Sequence, residues 1–220
     1  MNKYDNALNS FVAQDSPIFE QPRPHENYIF ATDKYIAIRI DKSKCNGEYV
    51  EHKNQPTSWN RVFGEPSGTP FVLNVHDIAK AINKIPESET IDVTGWPDVA
   101  KCSECEGSGY VEWIYESSDG EEYTESHGCP VCNGRGKFDK RTFKREERNF
   151  GINGVWFNVG SLITVINTIY HLGHDTATIV RFPNQLINML INVEPGVDMI
   201  IASNAMIEPA ASITLKPTEK

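Results

Sequence analysis

Leu73-Asn74-Val75-His76-Asp77-Ile78-Ala79-Lys80-Ala81-Ile82-Asn83-Lys84-Ile85 and Phe157-Asn158-Val159-Gly160-Ser161-Leu162-Ile163-Thr164-Val165-Ile166-Asn167-Thr168-Ile169 follow one pattern. Aligned, Asn, Val, Ile, Asn and Ile coincide, and apolar residues match elsewhere. Val75, Ile78, Ala79, Ile82 and Ile85 recur at helical spacing, as do Val159, Leu162, Ile163, Ile166 and Ile169. Asn74 and Asn158 stand where an N-cap accepts from the first free amides. Asp77 falls in the positive first turn of the first helix. Pro86 should stop that helix and Gly173 the second. Each copy has a β-like run before it and a strand-like run after it. A duplicated strand–helix–strands unit accounts for the match. So would two unrelated amphipathic helices with Asn caps.

Outward from these helices, strands dominate. Residues 28–32 and 35–40 are rich in β-branched and aromatic side chains, and Asp33-Lys34 between them reads as a hairpin turn. Residues 90–94 alternate as a strand. Residues 176–182, 186–193 and 197–203 read as three more strands, with turns at Asn184-Gln185 and Pro195-Gly196. The first 16 residues fit a short helix with Leu8, Phe11 and Val12 on one side. Residues 42–70 read as loop with at most one strand, and residues 209–220 as a loose tail. The fold class is α+β: a duplicated βαβββ domain formed by residues 1–99 and 138–208, with residues 100–137 inserted.

The inserted segment differs in kind. It reads Cys102-Ser103-Glu104-Cys105-Glu106-Gly107-Ser108-Gly109 and then Cys129-Pro130-Val131-Cys132-Asn133-Gly134-Arg135-Gly136, twice C-x-x-C-x-G-x-G. It has almost no aliphatic residues and cannot offset its own ordering entropy by burial. Two residues between thiols let both sulfurs of a pair face one ion, and two pairs complete the tetrahedral shell of a closed zinc site. Gly107, Gly109, Gly134 and Gly136 give the positive φ that a chain needs to wrap a metal. One Zn2+ per chain is expected, contributing about 10–16 kcal/mol to folding of the segment. His127 could replace one thiolate, but four already fill the shell. Cys45, the fifth cysteine, reads as an ordinary small residue.

Composition narrows the function classes. The chain has 220 residues and a net charge of −9, whereas general polyanion binders are normally basic overall. A local basic patch is still allowed. No apolar run is long enough to span a membrane, and the first residues lack the apolar core of a signal peptide. A cytoplasmic protein with no membrane partner is expected, which fits paired C-x-x-C motifs used for metal rather than disulfides. There is no phosphate loop, no G-x-S-x-G elbow and no H-E-x-x-H, so no enzyme activity is expected.

The cysteine segment resembles the inner repeat pair of the cysteine-rich domain of DnaJ-type co-chaperones, joined by a hairpin around residues 110–123. That resemblance implies the zinc site with its four cysteines. It does not imply co-chaperone activity, because the J-domain, the His-Pro-Asp motif, the Gly/Phe-rich linker and the outer repeats have no counterpart here. Phe30-Ala31-Thr32-Asp33-Lys34-Tyr35-Ile36-Ala37 is similar to a hairpin of bacterial DNA polymerase sliding clamps. Phe157-Asn158-Val159-Gly160-Ser161-Leu162, running into Ile166, is similar to the helix of their last repeat. A clamp domain is two βαβββ units, which agrees with the duplication. Clamps line their hole with basic helices. The first helix here has Lys80 and Lys84, but the second has neither Lys nor Arg. The chain has room for one such domain, so a ring would require a homo-oligomer.

Two features remain as candidate contacts. Lys137, Lys140, Arg141, Lys144, Arg145 and Arg148 form the densest basic stretch. It reads first as a solvated, salt-bridged connector, with Lys140, Arg141, Lys144 and Arg145 as an alternative phosphate-contacting strip. Tyr110, Trp113, Tyr115 and Tyr123 could stack on bases, but packing the hairpin onto the rest of the chain is the preferred reading. A clamp-like binding or adaptor protein near DNA replication or mobile elements is expected, with a chaperone-like factor as the alternative. The partner, protein or nucleic acid, is left open.

Overall fold

The computed structural model describes residues 2–51, 59–182, 188–204 and 207–218. It is a mixed α/β structure with several sheets. In chain order the elements begin with α1 (Lys3–Asn9), β1 (Arg23–His25), β2 (Tyr28–Thr32) and β3 (Ile36–Asp41). Then come α2 (Trp59–Phe63), β4 (Phe71–Asn74), α3 (Val75–Ile82), β5 (Ser88–Asp92) and α4 (Pro97–Ala100). β6 (Tyr110–Glu116), β7 (Glu122–Gly128), β8 (Lys140–Lys144), β9 (Asn149–Ile152) and β10 (Val155–Asn158) follow. The last are α5 (Val159–His171), β11 (Thr176–Arg181), β12 (Met189–Glu194), β13 (Val197–Ile201) and β14 (Ala211–Ile213).

The chain divides into two compact units, Met1–Pro86 with Arg145–Lys220, and Glu87–Lys144. The larger unit is built on a seven-stranded sheet in the order β1-β2-β3-β13-β12-β11-β4, with every neighbouring pair antiparallel. Both faces of its centre are covered, so β2, β3 and β13 do not show a simple buried–exposed alternation. Ile29, Ala31, Ile36, Ile38, Ile40, Val197, Met199 and Ile201 join the core that includes α1, α3 and α5. Phe30, Ala37, Leu190 and Ile200 pack with Phe63 of α2 in a smaller cluster. Arg39 lies over the Tyr28 and Phe63 rings and donates from Nε to Asp198 at 2.8 Å.

The two helix starts behave as their sequences predict. Asn74 Oδ1 accepts from the His76 and Asp77 amides at 2.9 and 3.1 Å, and Asn158 Oδ1 from the Ser161 amide at 3.0 Å. α5 ends at Gly173, whose φ of +93° lets its amide and that of His174 reach the Tyr170 and Ile169 carbonyls. α3 stops at Ile82, short of Ile85, because the residue before a proline disfavours helical backbone. Ile85 is nevertheless buried.

The strands that follow do not repeat the pairing of α3 with α5. After α3 the chain leaves the larger unit, whereas α5 leads into the β11-β12-β13 meander. The other three-stranded meander, β1-β2-β3, follows α1. The last strands of the two meanders meet at the centre, with Ile36 opposite Ile201 and Ile40 opposite Val197. The topology therefore relates α1 to α5. The amphipathic pattern of α1 is short, and sequence comparison alone passes it over.

Three other segments differ from expectation. Residues 59–63 form α2 within a stretch read as loop, while the rest of that reading at 52–58 lies outside the described residues, as does the Asn184-Gln185 turn. Residues 140–144, read as connector, form β8 and pair with β5. The tail is not loose over 210–218. β14 runs parallel to β9, Leu215 is buried, and its amide donates to Asn153 Oδ1 at 2.7 Å.

A buried-side ionic cluster ties three distant parts of the larger unit together. Glu194 accepts from Tyr4 Oη and Lys44 Nζ, each at 2.8 Å, and its other oxygen is 2.7 Å from His174 Nε2. Burial alone would raise its carboxyl, but these hydrogen bonds and the Lys44 charge outweigh that and hold it at about 2. A depressed folded value means the contribution to stability is complete above the ordinary carboxylate value and is lost as pH falls from about 4.5 toward 2. Glu194→Gln should therefore cost about 2 kcal/mol at pH 7, the scale of hydrogen bonds to a charged group. In urea titrations it should also lose less stability than the wild type across that acid window. An unchanged acid slope in the variant would contradict the assignment.

Candidate metal centre

In the smaller unit, β5 and β8 form a two-stranded ladder, with Thr90 Oγ1 and Thr142 Oγ1 2.7 Å apart. Both strands of the ladder lie within the compact unit Glu87–Lys144. From it the chain passes through α4 to a bridge between Lys101 and Lys137, where the Phe138 amide donates to the Ala100 carbonyl at 2.8 Å. That bridge brings the two cysteine turns together.

The turns are near copies in backbone detail. Gly107 N donates to Cys102 O at 3.1 Å, and Gly134 N to Cys129 O at 3.0 Å. Gly109 N donates to Cys105 Sγ at 3.2 Å, and Gly136 N to Cys132 Sγ at 3.1 Å. Each turn also holds the other. Cys129 N donates to Gly109 O at 2.7 Å, and Cys102 N to Gly136 O at 2.9 Å. At Gly109 (φ +81°) and Gly136 (φ +72°) a side chain is excluded twice over, because an added Cβ would meet the carbonyl oxygen of Gly134 or Gly107.

The four Sγ atoms lie within 4.8 Å of one another, and all four residues are buried. Cys102 and Cys129 sulfurs are 3.9 Å apart, and those of Cys105 and Cys132 3.8 Å. A tetrahedron of sulfur about zinc, with bonds of about 2.3 Å, has edges of about 3.8 Å. The cysteines are free thiols rather than disulfides. Burial raises the Cys105 thiol, but the Gly109 and Gly107 amides and the neighbouring thiols outweigh it and bring it down to about 7. Amide donors of this kind favour the thiolate, the form that binds metal. Among the described residues, the partly buried hydrophobic side chains packed against the cluster are Val111 and Phe138. The donor set, its burial and its spacing suit a metal ion such as zinc.

His127 is not a fifth donor. It faces Glu125, at 3.2 Å, and its ring lies 4.7 Å from that of Trp113. Cys45 sits in the larger unit, where burial first, and then the nearby Asp5 charge, push its thiol up to about 11.

β6 and β7 extend from the cysteine turns as a hairpin with Trp113 opposite Glu125 and Tyr115 opposite Tyr123. The preferred sequence reading, aromatics packed against the rest of the chain, is not what forms. Tyr110, Trp113, Ile114, Tyr115 and Tyr123 are all more than half exposed. Strand alternation, which usually signals one buried face, here places aromatics in solvent.

The basic strip also changes character. On β8 the side chains alternate, leaving Lys140 and Lys144 exposed and turning Arg141 inward. Arg141 Nη1 donates to Val99 O at 2.8 Å, and its guanidinium lies near the Phe138 and Phe143 rings. Arg145 belongs to the larger unit and donates from Nε to Ile85 O at 2.8 Å. Arg148 is buried. The six basic residues therefore do not make one phosphate-facing row.

A cleft of about 500 Å³ between α1 and α5 gathers Lys3, Ser10, Thr168 and His171. Its hydroxyls serve the fold: Ser10 Oγ donates to Ala7 O at 2.7 Å and Thr168 Oγ1 to Thr164 O at 2.8 Å. No helix among the described residues is long and apolar enough to cross a membrane.

No protein-family model matches the chain. No curated protein matches it by sequence. Its structural neighbours are DNA polymerase III β subunits, the sliding clamps. Against the Caulobacter crescentus clamp the identity is 10%, with 93% of this chain and 65% of that one covered, at a TM-score of 0.47. Against the Thermotoga maritima β subunit it is 10%, with 94% and 65% covered, at 0.48. Against the Pseudomonas aeruginosa clamp it is 9%, with 93% and 66% covered, at 0.48. The chain thus spans slightly less than two thirds of each clamp's length.

The reciprocal turn geometry can be tested directly. Gly136→Ala and Gly109→Ala should each abolish amide-exchange protection at Cys102 and Cys129. Gly120→Ala is the control, because an added Cβ there meets nothing within 4 Å, and it should leave those amides protected. Protection retained in the first two variants would mean that the turns do not hold each other.

Proposed function

We propose that the chain is a zinc-containing binding protein without catalytic chemistry, in which Cys102, Cys105, Cys129 and Cys132 hold one Zn2+. The observation that carries this reading is four buried sulfurs at the separations of a thiolate tetrahedron, at the base of a hairpin with exposed aromatic side chains. Four thiolates leave no coordination position for a substrate, so the metal would supply structure alone. Stiffening a hairpin before it meets its partner lowers the ordering cost of binding. Trp113 and Tyr115 are the residues assigned to partner contact.

For the larger unit we infer a clamp-like scaffold, built as an internal repeat and associated with DNA replication or mobile elements. The likeness of residues 30–37 and 157–166 to sliding clamps supports this, as does the paired α-then-three-strands topology. Direct nucleic-acid contact is the less favoured part, given that α5 carries neither Lys nor Arg and that Arg141 and Arg145 serve backbone carbonyls. Replacing Lys140 and Lys144 together with Ala should leave retention on duplex DNA and its salt dependence unchanged. A flatter salt slope in that variant would restore the phosphate reading.

Zinc is tested on purified protein. Elemental analysis should find one zinc per chain, and Cys129→Ser should lower its affinity by at least about tenfold. Chelation should abolish amide protection over residues 100–137 while sparing the core around Ile38, Met199 and Leu162, which lies in the other unit. Protein purified with no bound metal, yet protected over 100–137, would overturn the assignment.

A further inference from the structure

The β6–β7 hairpin presents two unlike faces. Directly opposed residues of an antiparallel pair share a face. One face therefore carries Val111, Trp113 and Tyr115 with His127, Glu125 and Tyr123, and the other carries Glu112, Ile114 and Glu116 with Ser126, Thr124 and Glu122. On the first face, Trp113 and His127 form one ring pair, with centroids 4.7 Å apart. Tyr115 and Tyr123 form a second, at 6.2 Å. Trp113 and Tyr115 are two residues apart on one strand, a step of about 6.8 Å. That is also the spacing of alternate side chains on any extended segment laid alongside.

Charge decides what such a segment carries. Between Tyr110 and Gly128 the chain has Glu112, Glu116, Asp119, Glu121, Glu122 and Glu125, and neither Lys nor Arg. All six carboxylates are exposed. Aromatic faces attract cations, and tryptophan does so most strongly. Carboxylates around those rings add attraction for Lys and Arg and repel phosphate. The rest of the chain is acidic too, which disfavours a second copy as the occupant.

We infer that the Trp113–Tyr115–Tyr123 face docks an extended segment of a partner protein bearing Lys or Arg at alternate positions. The cations would sit on the two ring pairs, with Glu125 beside them on the same face and the other carboxylates adding their field from the opposite face and the turn. This deepens the binding reading above and rests on it. Among the described residues no third strand pairs with β6 or β7, and strand addition to that sheet would hold the segment in register.

The test uses the full chain with its metal content measured on every sample. Fluorescence anisotropy follows a labelled 12-residue peptide alternating Arg and Ser, a peptide of equal composition with its arginines in one block, and a single-stranded DNA of 12 nucleotides. The alternating peptide should bind at least about fivefold more tightly than the blocked one, and the DNA should bind more weakly than either. Trp113→Ala and Tyr115→Ala should each weaken the alternating peptide at least about tenfold. Glu125→Gln, which removes the carboxylate on the same face, should flatten its salt dependence. Equal affinity for both peptides, undiminished binding in the aromatic variants, or tighter binding of DNA would each overturn the inference, as would hairpin-dependent self-association in sedimentation. Metal-loaded protein that ignores the alternating peptide would sink this inference and leave the zinc reading intact. Protein that never holds metal would sink the zinc reading itself.

Discussion

Four sulfur atoms within 4.8 Å of one another, all buried, set the terms for the smaller unit. Thiolates at that distance repel, and thiols there gain little, since among the described residues the apolar packing comes from Val111 and Phe138. Each turn meets the problem in the same way, by aiming a glycine amide at one sulfur and lending the other turn a carbonyl. Amide donors stabilise negative charge on sulfur before any cation is present, as the lowered Cys105 thiol reflects. A divalent cation held there would convert repulsion into attraction. The hairpin grows directly out of the turns, because β6 starts one residue after Gly109 and β7 ends one residue before Cys129.

The larger unit is organised independently of that chemistry. Its core runs from Leu8 and Phe11 through the seven-stranded sheet to Leu215, and no cysteine ligand contributes to it. The antiparallel contact of β3 with β13 joins the two meanders, and the helices close one face. Polar links then fix the periphery. Glu194 gathers Tyr4, Lys44 and His174, while Asp5 gathers the Tyr49 hydroxyl and the Asn46 and Gly47 amides. Burial works against the Asp5 carboxylate, but these donors hold it below its ordinary range.

How much of this could be read beforehand depended on whether the signal was local. The C-x-x-C-x-G-x-G spacing encodes the turn geometry almost completely, since ligand, amide donor and positive φ lie within eight residues. Asn74 and Asn158 were equally legible as caps. The relation of α1 to α5 was not, because it resides in strand order rather than in matching side chains. β8 was hidden because Lys140, Arg141 and Lys144 place charge on both faces, so the alternation of Arg141 and Phe143 with their neighbours looks polar throughout. β14 needed its partner β9 to be recognisable, for three residues carry no periodicity. The exposure of Trp113 and Tyr115 was also out of reach, because alternation tells which side chains share a face but not what that face meets.

Several arginines explain why the dense basic stretch of residues 137–148 does not become one basic row. Arg23 donates to the Pro17 and Ile18 carbonyls, Arg141 to Val99, Arg145 to Ile85 and Arg181 to Phe63. Arg39 and Arg135 are held by Asp198 and Asp139. A planar guanidinium with several donors suits carbonyls at the ends of loops, where the backbone has no partner of its own. Used in this way, it is unavailable to a phosphate. The carboxylates of the hairpin are exposed, although Glu125 faces His127 and Asp119 accepts from Ser117, and their field reaches outward over about a Debye length. Folding thus engages several arginines with backbone carbonyls while the hairpin carboxylates are exposed.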